Sequence, residues 1–305
     1  TIKQRIGVLW GSLGLPFIFI IIFIVFALNS PTFASTRNIL SNLSFAAYTG
    51  IAAIGMTFVI MTGDFDISIG SMLALAGVLG ASFVPAIGGV LGVFSTIAIA
   101  TALGFLNGIF VTKLRIPAFI TTLGMLYVYR AIAYIYTENF PQYLSDRFWL
   151  YIGNGRLFNY IPFPIILMVI CYAIAYLVLR KMPVGRYIIA VGTNPKAAAL
   201  SGVNVDNIKI FVFMLLGLFV GISAVVNSAN LGVANPGMMG QDFEFQVITV
   251  VVLGGTMLGG GNGSLGGAFI AAMIITFLRN GMGLMQINPY WQLVATGLVM
   301  IIAVS

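Results

Sequence analysis

Long runs of apolar residues recur along the whole chain and are separated by short polar joins. A helix needs about 20 apolar residues to cross the hydrocarbon core of a bilayer. Ten runs meet or approach that length, and they cover residues 8–28, 44–62, 67–86, 89–112, 117–136, 162–180, 208–228, 243–258, 265–285 and 290–305. The pattern predicts an all-α polytopic membrane protein with about ten transmembrane or re-entrant helices in one domain over residues 1–305.

Three of the joins between runs are very short, at Gly63–Asp66, Ala86–Gly88 and Gly259–Ser264. Joins of this length predict hairpins or short re-entrant helices, which would lower the number of complete spans below ten. The first run follows Lys3 and Arg5, as in a secretory signal, but no small-residue cleavage site is evident. We therefore interpret it as a retained span.

Lysine and arginine residues predict the orientation, because they are enriched in cytoplasmic loops. With a cytoplasmic N-terminus and ten spans, nine of the 14 fall inside, three outside and two within spans. The inside set is Lys3, Arg5, Lys113, Arg115, Arg180, Lys181, Arg186, Lys196 and Lys209; the outside set is Arg37, Arg147 and Arg156. The net charge of +7 is accounted for by topology and by attraction to anionic membrane lipid, with no need for nucleic acid.

The amino-acid composition excludes several classes of protein. Hydrophobic residues make up 60% of the 305 positions and charged residues only 7%, too few to cover a soluble globule. The chain has no histidine, which removes HExxH zinc hydrolysis, Ser-His dyads and histidine proton relays. We predict no catalytic residue, no metal site and no cofactor bound by this chain.

Residues Gly261–Gly266 satisfy the GxGxxG pattern of dinucleotide-binding folds. That fold also needs a preceding soluble strand and an acidic residue about 20 positions later, and no Asp or Glu follows Glu244. We interpret the glycines as a tight turn between helices. The sequence also contains no GxxxxGK[ST] phosphate-binding loop, so ATP-driven transport would require a separate ATPase subunit.

Two connections are long. The outer one, residues 137–161, contains Tyr143, Trp149 and Tyr151 and predicts either an interfacial aromatic belt or a docking surface. The inner one, residues 181–207, contains NPKAAALSG at 194–202. Asn194 is a favourable N-cap, Pro195 suits the first helical position and Gly202 suits the end, so we predict a short helix on the cytoplasmic face.

NPKAAALSG resembles the EAA loop, the cytoplasmic coupling helix of bacterial importer permeases. Three further stretches point to one branch: GMTFVIMTGDFDISIGSMLALAG at 55–77, IPAFITTLGMLYVYRA at 116–131 and VVVLGGTMLGGGNGSLGGAFIAA at 250–272. From about residue 32 to the end, the chain resembles the ribose/galactose/arabinose/xylose-type permeases of ATP-binding-cassette (ABC) importers. That family also includes permeases for an autoinducer sugar and, more distantly, for nucleosides and branched-chain amino acids.

The resemblance implies a multi-pass protein of the bacterial inner membrane that moves a small polar solute, best a monosaccharide, by alternating access. Its partners would be an ATPase subunit that binds ATP-Mg, a periplasmic or lipid-anchored solute-binding protein, and a second permease copy or sister permease. The residues implied to contact the ATPase are Asn194, Pro195, Lys196, Ala197, Ala198 and Gly202.

Two departures from the family pattern affect residue roles. Lys196 stands where the EAA loop usually has Glu, and Glu244-Phe245-Gln246 stands where relatives commonly have Glu-Leu-Asp. The first departure implies a rearranged contact with the ATPase. The second replaces a charge by hydrogen-bonding capacity alone.

Polar residues within or beside the spans are the remaining candidates. Asp64, Asp66 and Ser68 lie at a span end, where we predict Asp66 to be an N-cap, with a gate or an ATPase contact as the alternative. For the translocation path the candidates are Asn107, Arg130, Gln246, Arg279 and Asn280, each of which is alternatively a contact between helices. The two arginines either line the path, snorkel outward or pair with Glu138 and Glu244.

Two other classes of protein compete with the importer permease. An ion-coupled secondary transporter would want carboxylates or histidines as relays inside its spans, and this chain offers almost none. An intramembrane aspartyl protease would need two facing acidic residues within the bilayer. Asp64 and Asp66 lie at a span end without such a partner.

Overall fold

The computed structural model describes the backbone of residues 2–304 and the side chains of residues 14–301. It contains twelve helices and four two-residue strands. The first and last predicted apolar runs, residues 8–28 and 290–305, extend beyond the residues whose side chains are described. The helices are α1 Ile2–Asn29, α2 Thr36–Met61, α3 Ile69–Thr112, α4 Ala118–Thr137, α5 Arg147–Asn154, α6 Phe163–Lys181, α7 Pro183–Thr193, α8 Pro195–Leu200, α9 Val205–Leu231, α10 Phe243–Leu253, α11 Leu265–Leu284 and α12 Pro289–Val304.

Six of these helices are long and apolar enough to cross a membrane, namely α2, α3, α4, α6, α9 and α11. Shorter apolar helices cover residues 14–29, 243–253 and 289–301. Each predicted apolar run therefore lies largely on a helix, which confirms a mostly helical chain with six candidate membrane spans.

The 44-residue helix α3 contains two of the predicted runs. Its helical backbone is interrupted at Gly88, which has φ 79° and ψ 164°, a conformation that favours glycine because it has no Cβ. Pro85 lies three residues earlier and removes a helical hydrogen-bond donor. The short join predicted at residues 86–88 is therefore confirmed as a sharp break within one long helical element.

Helix α10 corrects one predicted run. Residues 243–258 were expected to form one long helix, but α10 ends at Leu253 and has 11 residues. At 1.5 Å per residue it is about 16 Å long, roughly half of a bilayer core. The reason lies in Gly254 and Gly255, of which the second has φ 88° and ends the helix.

The closest helix packing is between α3 and α9. A Cβ at Gly104 would overlap the carbonyl of Phe213, and one at Gly217 would overlap the carbonyl of Ala100. Gly108 and Gly221 face the same partner helices at comparably short range. The small-xxx-small spacing within each helix therefore lies on the contact face, as the motif predicts.

The outer connection contains regular secondary structure. It corrects two expectations, namely that the chain is purely α-helical and that Trp149 lies in an aromatic belt or a docking surface. It contains α5 and two short antiparallel ladders: β1 (Gln142–Tyr143) pairs with β4 (Val233–Ala234), and β2 (Arg156–Leu157) pairs with β3 (Ile161–Pro162). The chain is thus not purely α-helical.

Trp149 is the second correction. Its side chain is fully buried and its Nε1–H donates to Ser228 Oγ at 3.1 Å, so it belongs neither to an aromatic belt nor to a docking surface. The indole packs inward because α5 lies against α9, a contact that links distant parts of the sequence. Tyr143 and Tyr151 remain exposed.

The inner connection forms two helices, α7 and α8, instead of one short helix. The predicted capping of α8 is confirmed: Asn194 Oδ1 accepts from the amide of Ala197 at 3.0 Å, and Pro195 occupies the first turn. Gly202 has φ 86° and follows the helix, where the left-handed conformation favours glycine. Lys196 and Leu200 are exposed on α8.

Candidate functional site

Four helices, α2, α10, α11 and α12, bring polar side chains together around Arg279. The guanidinium Nη1 of Arg279, on α11, donates to Gln246 Oε1, on α10, at 3.0 Å. Gln246 Nε2 in turn donates to Thr49 Oγ1, on α2, at 3.1 Å. Arg279 Nε lies 3.5 Å from Thr296 Oγ1 on α12. An extended cation is thus held by side chains inside an otherwise apolar bundle.

The Arg279–Gln246 pair lies between two clefts. The first has a volume of about 290 Å³ and is lined by Asn42, Phe45, Tyr48, Thr276 and Asn280 together with the pair. The second, about 270 Å³, is lined by Gln241, Asp242, Pro289, Tyr290, Gln292 and Leu293 together with the pair. Hydrogen-bonding groups beside aromatic rings suit a small hydroxylated solute.

Asn280 follows Arg279 on α11 and connects this helix to α2. Its side chain exchanges hydrogen bonds with Asn38 at 2.9 and 3.2 Å. The structure therefore brings together three predicted path residues, Gln246, Arg279 and Asn280. Whether they line a translocation path stays a prediction.

The polar residues of α2 beside the first cleft were not predicted from the sequence. Asn38, Asn42 and Thr49 are separated by four and seven positions, a spacing that places them on one face of a helix. That polar stripe on an apolar helix was the signal that would have found them.

Arg130 lies in a different place. From α4 its guanidinium donates to the backbone carbonyls of Pro236, Met239 at 2.8 Å and Gly240 at 3.3 Å. These carbonyls belong to the non-helical segment before α10, and the carbonyl of Gly240 also accepts from the amide of Phe243 at 3.4 Å. The adjoining cleft of about 430 Å³ is lined in part by Ser71, Tyr134, Asp242 and Glu244.

The predicted ion pairs with Glu138 or Glu244 are wrong. The described residues contain three ion pairs, and neither Arg130 nor Arg279 takes part in any of them. Backbone and amide oxygens satisfy both guanidinium groups instead.

Asn107 lines none of the three clefts described above. Its side chain is fully buried in a closed hydrogen-bond network. Its Nδ2 donates to Asp66 Oδ2 and to Ser68 Oγ, both at 2.9 Å. Its Oδ1 accepts from the hydroxyl of Tyr129 at 2.8 Å. The network joins the α2–α3 connection to α3 and α4, an arrangement typical of a structural contact.

Asp66 is not the N-cap of α3, because that helix begins at Ile69 and Ser68 occupies the cap position. Its carboxylate accepts from the Ser68 amide at 2.8 Å and from the Ser68 hydroxyl at 2.6 Å, so it organises the turn before the helix. Burial raises the pKa of Asp66 above its ordinary value. Burial also raises the pKa of Asp64, although its ion pair with Lys209 at 2.8 Å acts in the opposite direction.

The described residues contain no group of three or more His, Cys, Asp or Glu side chains placed to hold a metal ion. Polar clefts between apolar helices are sites at which a membrane protein can bind a small polar solute.

Comparison with known proteins identifies the class. Residues 38–304 match the family described as the permease component of the branched-chain amino acid transport system. The match covers most of the chain, so this protein belongs to that family of transport permeases. No solved structure matches the chain.

Several relatives are similar over almost their whole length. The ribose import permease protein RbsC of Haemophilus influenzae is 40% identical, with 93% of this chain and 89% of the relative covered. RbsC of Bacillus subtilis is 37% identical, with 99% and 92% covered. The L-arabinose transport system permease protein AraH of Escherichia coli is 33% identical, with 98% and 90% covered.

Proposed function

We propose that this chain is the membrane-spanning permease subunit of an ABC importer that carries a monosaccharide across the bacterial inner membrane. The observation that carries the proposal is its 33–40% identity to ribose and arabinose permeases over more than 90% of the chain. The family description mentions branched-chain amino acids, so a permease for such a solute, a nucleoside or an autoinducer sugar is the alternative. The polar clefts beside Arg279 favour a hydroxylated solute.

The proposed topology has a cytoplasmic N-terminus and about ten membrane-embedded segments, with the two parts of α3 on either side of Gly88 counted separately. Under this topology α7 and α8 lie in the cytoplasm and α5 lies outside. Cysteines introduced at Ser145 and Lys196, both exposed, test this in a Cys171→Ala background. An impermeant thiol reagent should label them from opposite sides of the membrane. Labelling of both from one side would refute the proposed orientation.

The proposed contact with the ATPase is α8 and its flanks, residues 194–202. This short helix is well capped, exposes Leu200 and presents mostly small residues, which permits close approach by a partner. ATP-Mg would bind the partner ATPase and not this chain. The outer face around residues 137–161, with exposed Tyr143, Phe158 and Tyr160, is the proposed surface for a solute-binding protein.

The proposed path runs along the clefts beside Arg279 and Gln246, within a pair formed with a second permease copy or a sister permease. Alternating access then requires these clefts to open to each side in turn. A path that must release its cargo benefits from hydrogen bonds whose net strength is modest, because each one replaces a hydrogen bond between the solute and water.

Uptake by the reconstituted complex tests the function. The permease is co-purified with the ATPase and binding protein encoded beside it, placed in proteoliposomes, and supplied with ATP-Mg and radiolabelled ribose, arabinose or leucine. We expect ATP-dependent accumulation of a pentose and none of leucine. A Gly202→Trp variant serves as the coupling control and should lose solute-stimulated ATP hydrolysis. Leucine uptake, or sugar uptake driven by an ion gradient without ATP, would refute the proposal.

A further inference from the structure

Three separate parts of the chain meet at backbone distance beside α8. Gly192, in the last turn of α7, lies so close to α2 that an added Cβ would overlap the carbonyl oxygen of Met61. The same Cβ would be 2.5 Å from the amide nitrogen of Gly261, in the turn between α10 and α11. The amide of Gly261 also donates to the Met61 carbonyl at 2.9 Å.

The neighbouring glycine confirms how close this approach is. A Cβ at Gly260 would lie 2.9 Å from the carbonyl oxygen of Gly192 and 3.1 Å from the amide nitrogen of Gly63. Both Gly260 and Gly261 have positive φ, 84° and 79°, so their backbone conformation also favours glycine. Packed backbones leave no flexible side chain to absorb a displacement.

The α10–α11 turn is itself tied together. The amide of Met257 donates to the Asn262 carbonyl at 3.2 Å, and the amide of Ser264 donates to Thr256 Oγ1 at 3.3 Å. Just beyond the turn, a Cβ at Gly267 would overlap the carbonyl of Gly254. Helices α10 and α11 therefore leave the turn as one close-packed hairpin.

We propose that Gly192, Met61, Gly260 and Gly261 form a coupling joint that carries movement of α8 directly to the α10–α11 hairpin. The inference rests on the proposed function, in which α8 contacts the ATPase. Only Thr193 and Asn194 separate Gly192 from α8. The hairpin carries Gln246 on α10 and Arg279 on α11, so a movement at the joint reaches the residues between the two clefts. Gly192 is thus a positioning residue that acts through the hairpin.

A disulfide across the joint tests whether its parts move as one body. A Cβ at Gly261 lies 3.4 Å from Thr193 Cβ, close to the separation in natural disulfides. In the reconstituted complex, a Thr193→Cys/Gly261→Cys variant in the Cys171→Ala background should form the disulfide under mild oxidation. We expect the oxidised complex to retain sugar transport within twofold of the same sample after reduction. A tenfold loss that reductant reverses would overturn the coupling joint. If the disulfide does not form, because the positive φ of Gly261 disfavours cysteine, the Gly192→Ala experiment decides.

Substituting Gly192 tests whether the joint transmits anything. Gly192→Ala should lower sugar uptake at least tenfold while basal ATP hydrolysis persists, because the added methyl separates α7 from α2 and the turn. Gly259→Ala is the matched control, since a Cβ there meets open space beside the same turn, and its uptake should be unchanged.

Normal coupling in Gly192→Ala would overturn the inference, as would an equal loss in the Gly259→Ala control. If Gly192→Ala does not reach the membrane, the disulfide experiment decides alone. Absence of ATP-dependent sugar uptake by the Cys171→Ala parent would instead count against the proposed function.

Discussion

Arg130 and Arg279 are two arginines within spans that the sequence does not distinguish, yet their surroundings differ. Arg130 donates to three backbone carbonyls of the segment before α10. Arg279 donates instead to the side chain of Gln246; it borders two clefts, and Arg130 borders one. Non-helical backbone at membrane depth needs partners for its polar groups, and Arg130 supplies them. We therefore expect Arg130 to stabilise the packing of this segment and Arg279 to act on the solute.

The largest expected effect is on stability, at Arg130. Arg130→Gln should leave the carbonyls of Pro236 and Met239 without partners, and an unsatisfied buried group costs about 1–3 kcal/mol. We expect the melting temperature of the purified permease to fall by roughly 5–10 °C, with less protein in the membrane. Arg130→Lys keeps the charge but not the planar fork of donors, so its melting temperature should lie between those of the wild type and Arg130→Gln. Wild-type melting combined with lost uptake would assign Arg130 to the path.

Asn107 extends the comparison to an uncharged residue in a closed network. Asn107→Leu removes one of the two partners of the Tyr129 hydroxyl and one of the partners of the Asp66 carboxylate, so the free energy of unfolding should fall by about 1–3 kcal/mol. Uptake per folded molecule should stay near the wild-type value, because Asn107 lines none of the three clefts. Thermal melting and uptake measured on the same preparation check this. The reverse pattern, stable protein without uptake, would place Asn107 in the path.

Arg279 should show the opposite signature from Arg130. Arg279→Gln keeps hydrogen-bonding capacity but removes the charge between the two clefts, and uptake should fall about tenfold, equivalent to about 1.4 kcal/mol in a barrier. Melting should change little, since its partners are side chains that can rearrange. Arg279→Lys tests whether a positive charge at this position is enough for normal uptake. Unchanged uptake in Arg279→Gln together with lost uptake in Asn280→Ala would move the path to the Asn38 side of α11.

The smallest expected effect concerns a charge at the water boundary. Asp206 accepts from Lys113 at 3.4 Å and from Arg115 at 3.2 Å, and both cations are more than half exposed. Exposed ion pairs contribute about 0.2–1 kcal/mol, so Asp206→Asn should barely move the melting temperature. An effect as large as that of Arg130→Gln would show that partner type does not explain the difference between the two arginines.

Local patterns in the chain were sufficient for the helices and several of their ends. Runs of about 20 apolar residues predict spans because the bilayer core has one thickness, and the capping of α8 follows from Asn194, Pro195 and Gly202 alone. The glycine pairs of α3 and α9 have a spacing that is common by chance in a glycine-rich chain, so their contact is a finding of the structure. The half-length helix α10 was missed, because Gly254 and Gly255 interrupt an apolar run without making it polar.

The roles of the polar residues depend on contacts between distant positions. Asp66 and Asn107 are 41 positions apart, and only the approach of α3 to the α2–α3 connection makes them partners. Arg130 meets carbonyls more than 100 positions away, and Trp149 is buried because α5 reaches Ser228 on α9. A side chain's type states which bonds it is able to make. The packing of helices settles which of those bonds form, because it determines which distant atoms arrive within 3 Å and whether water does.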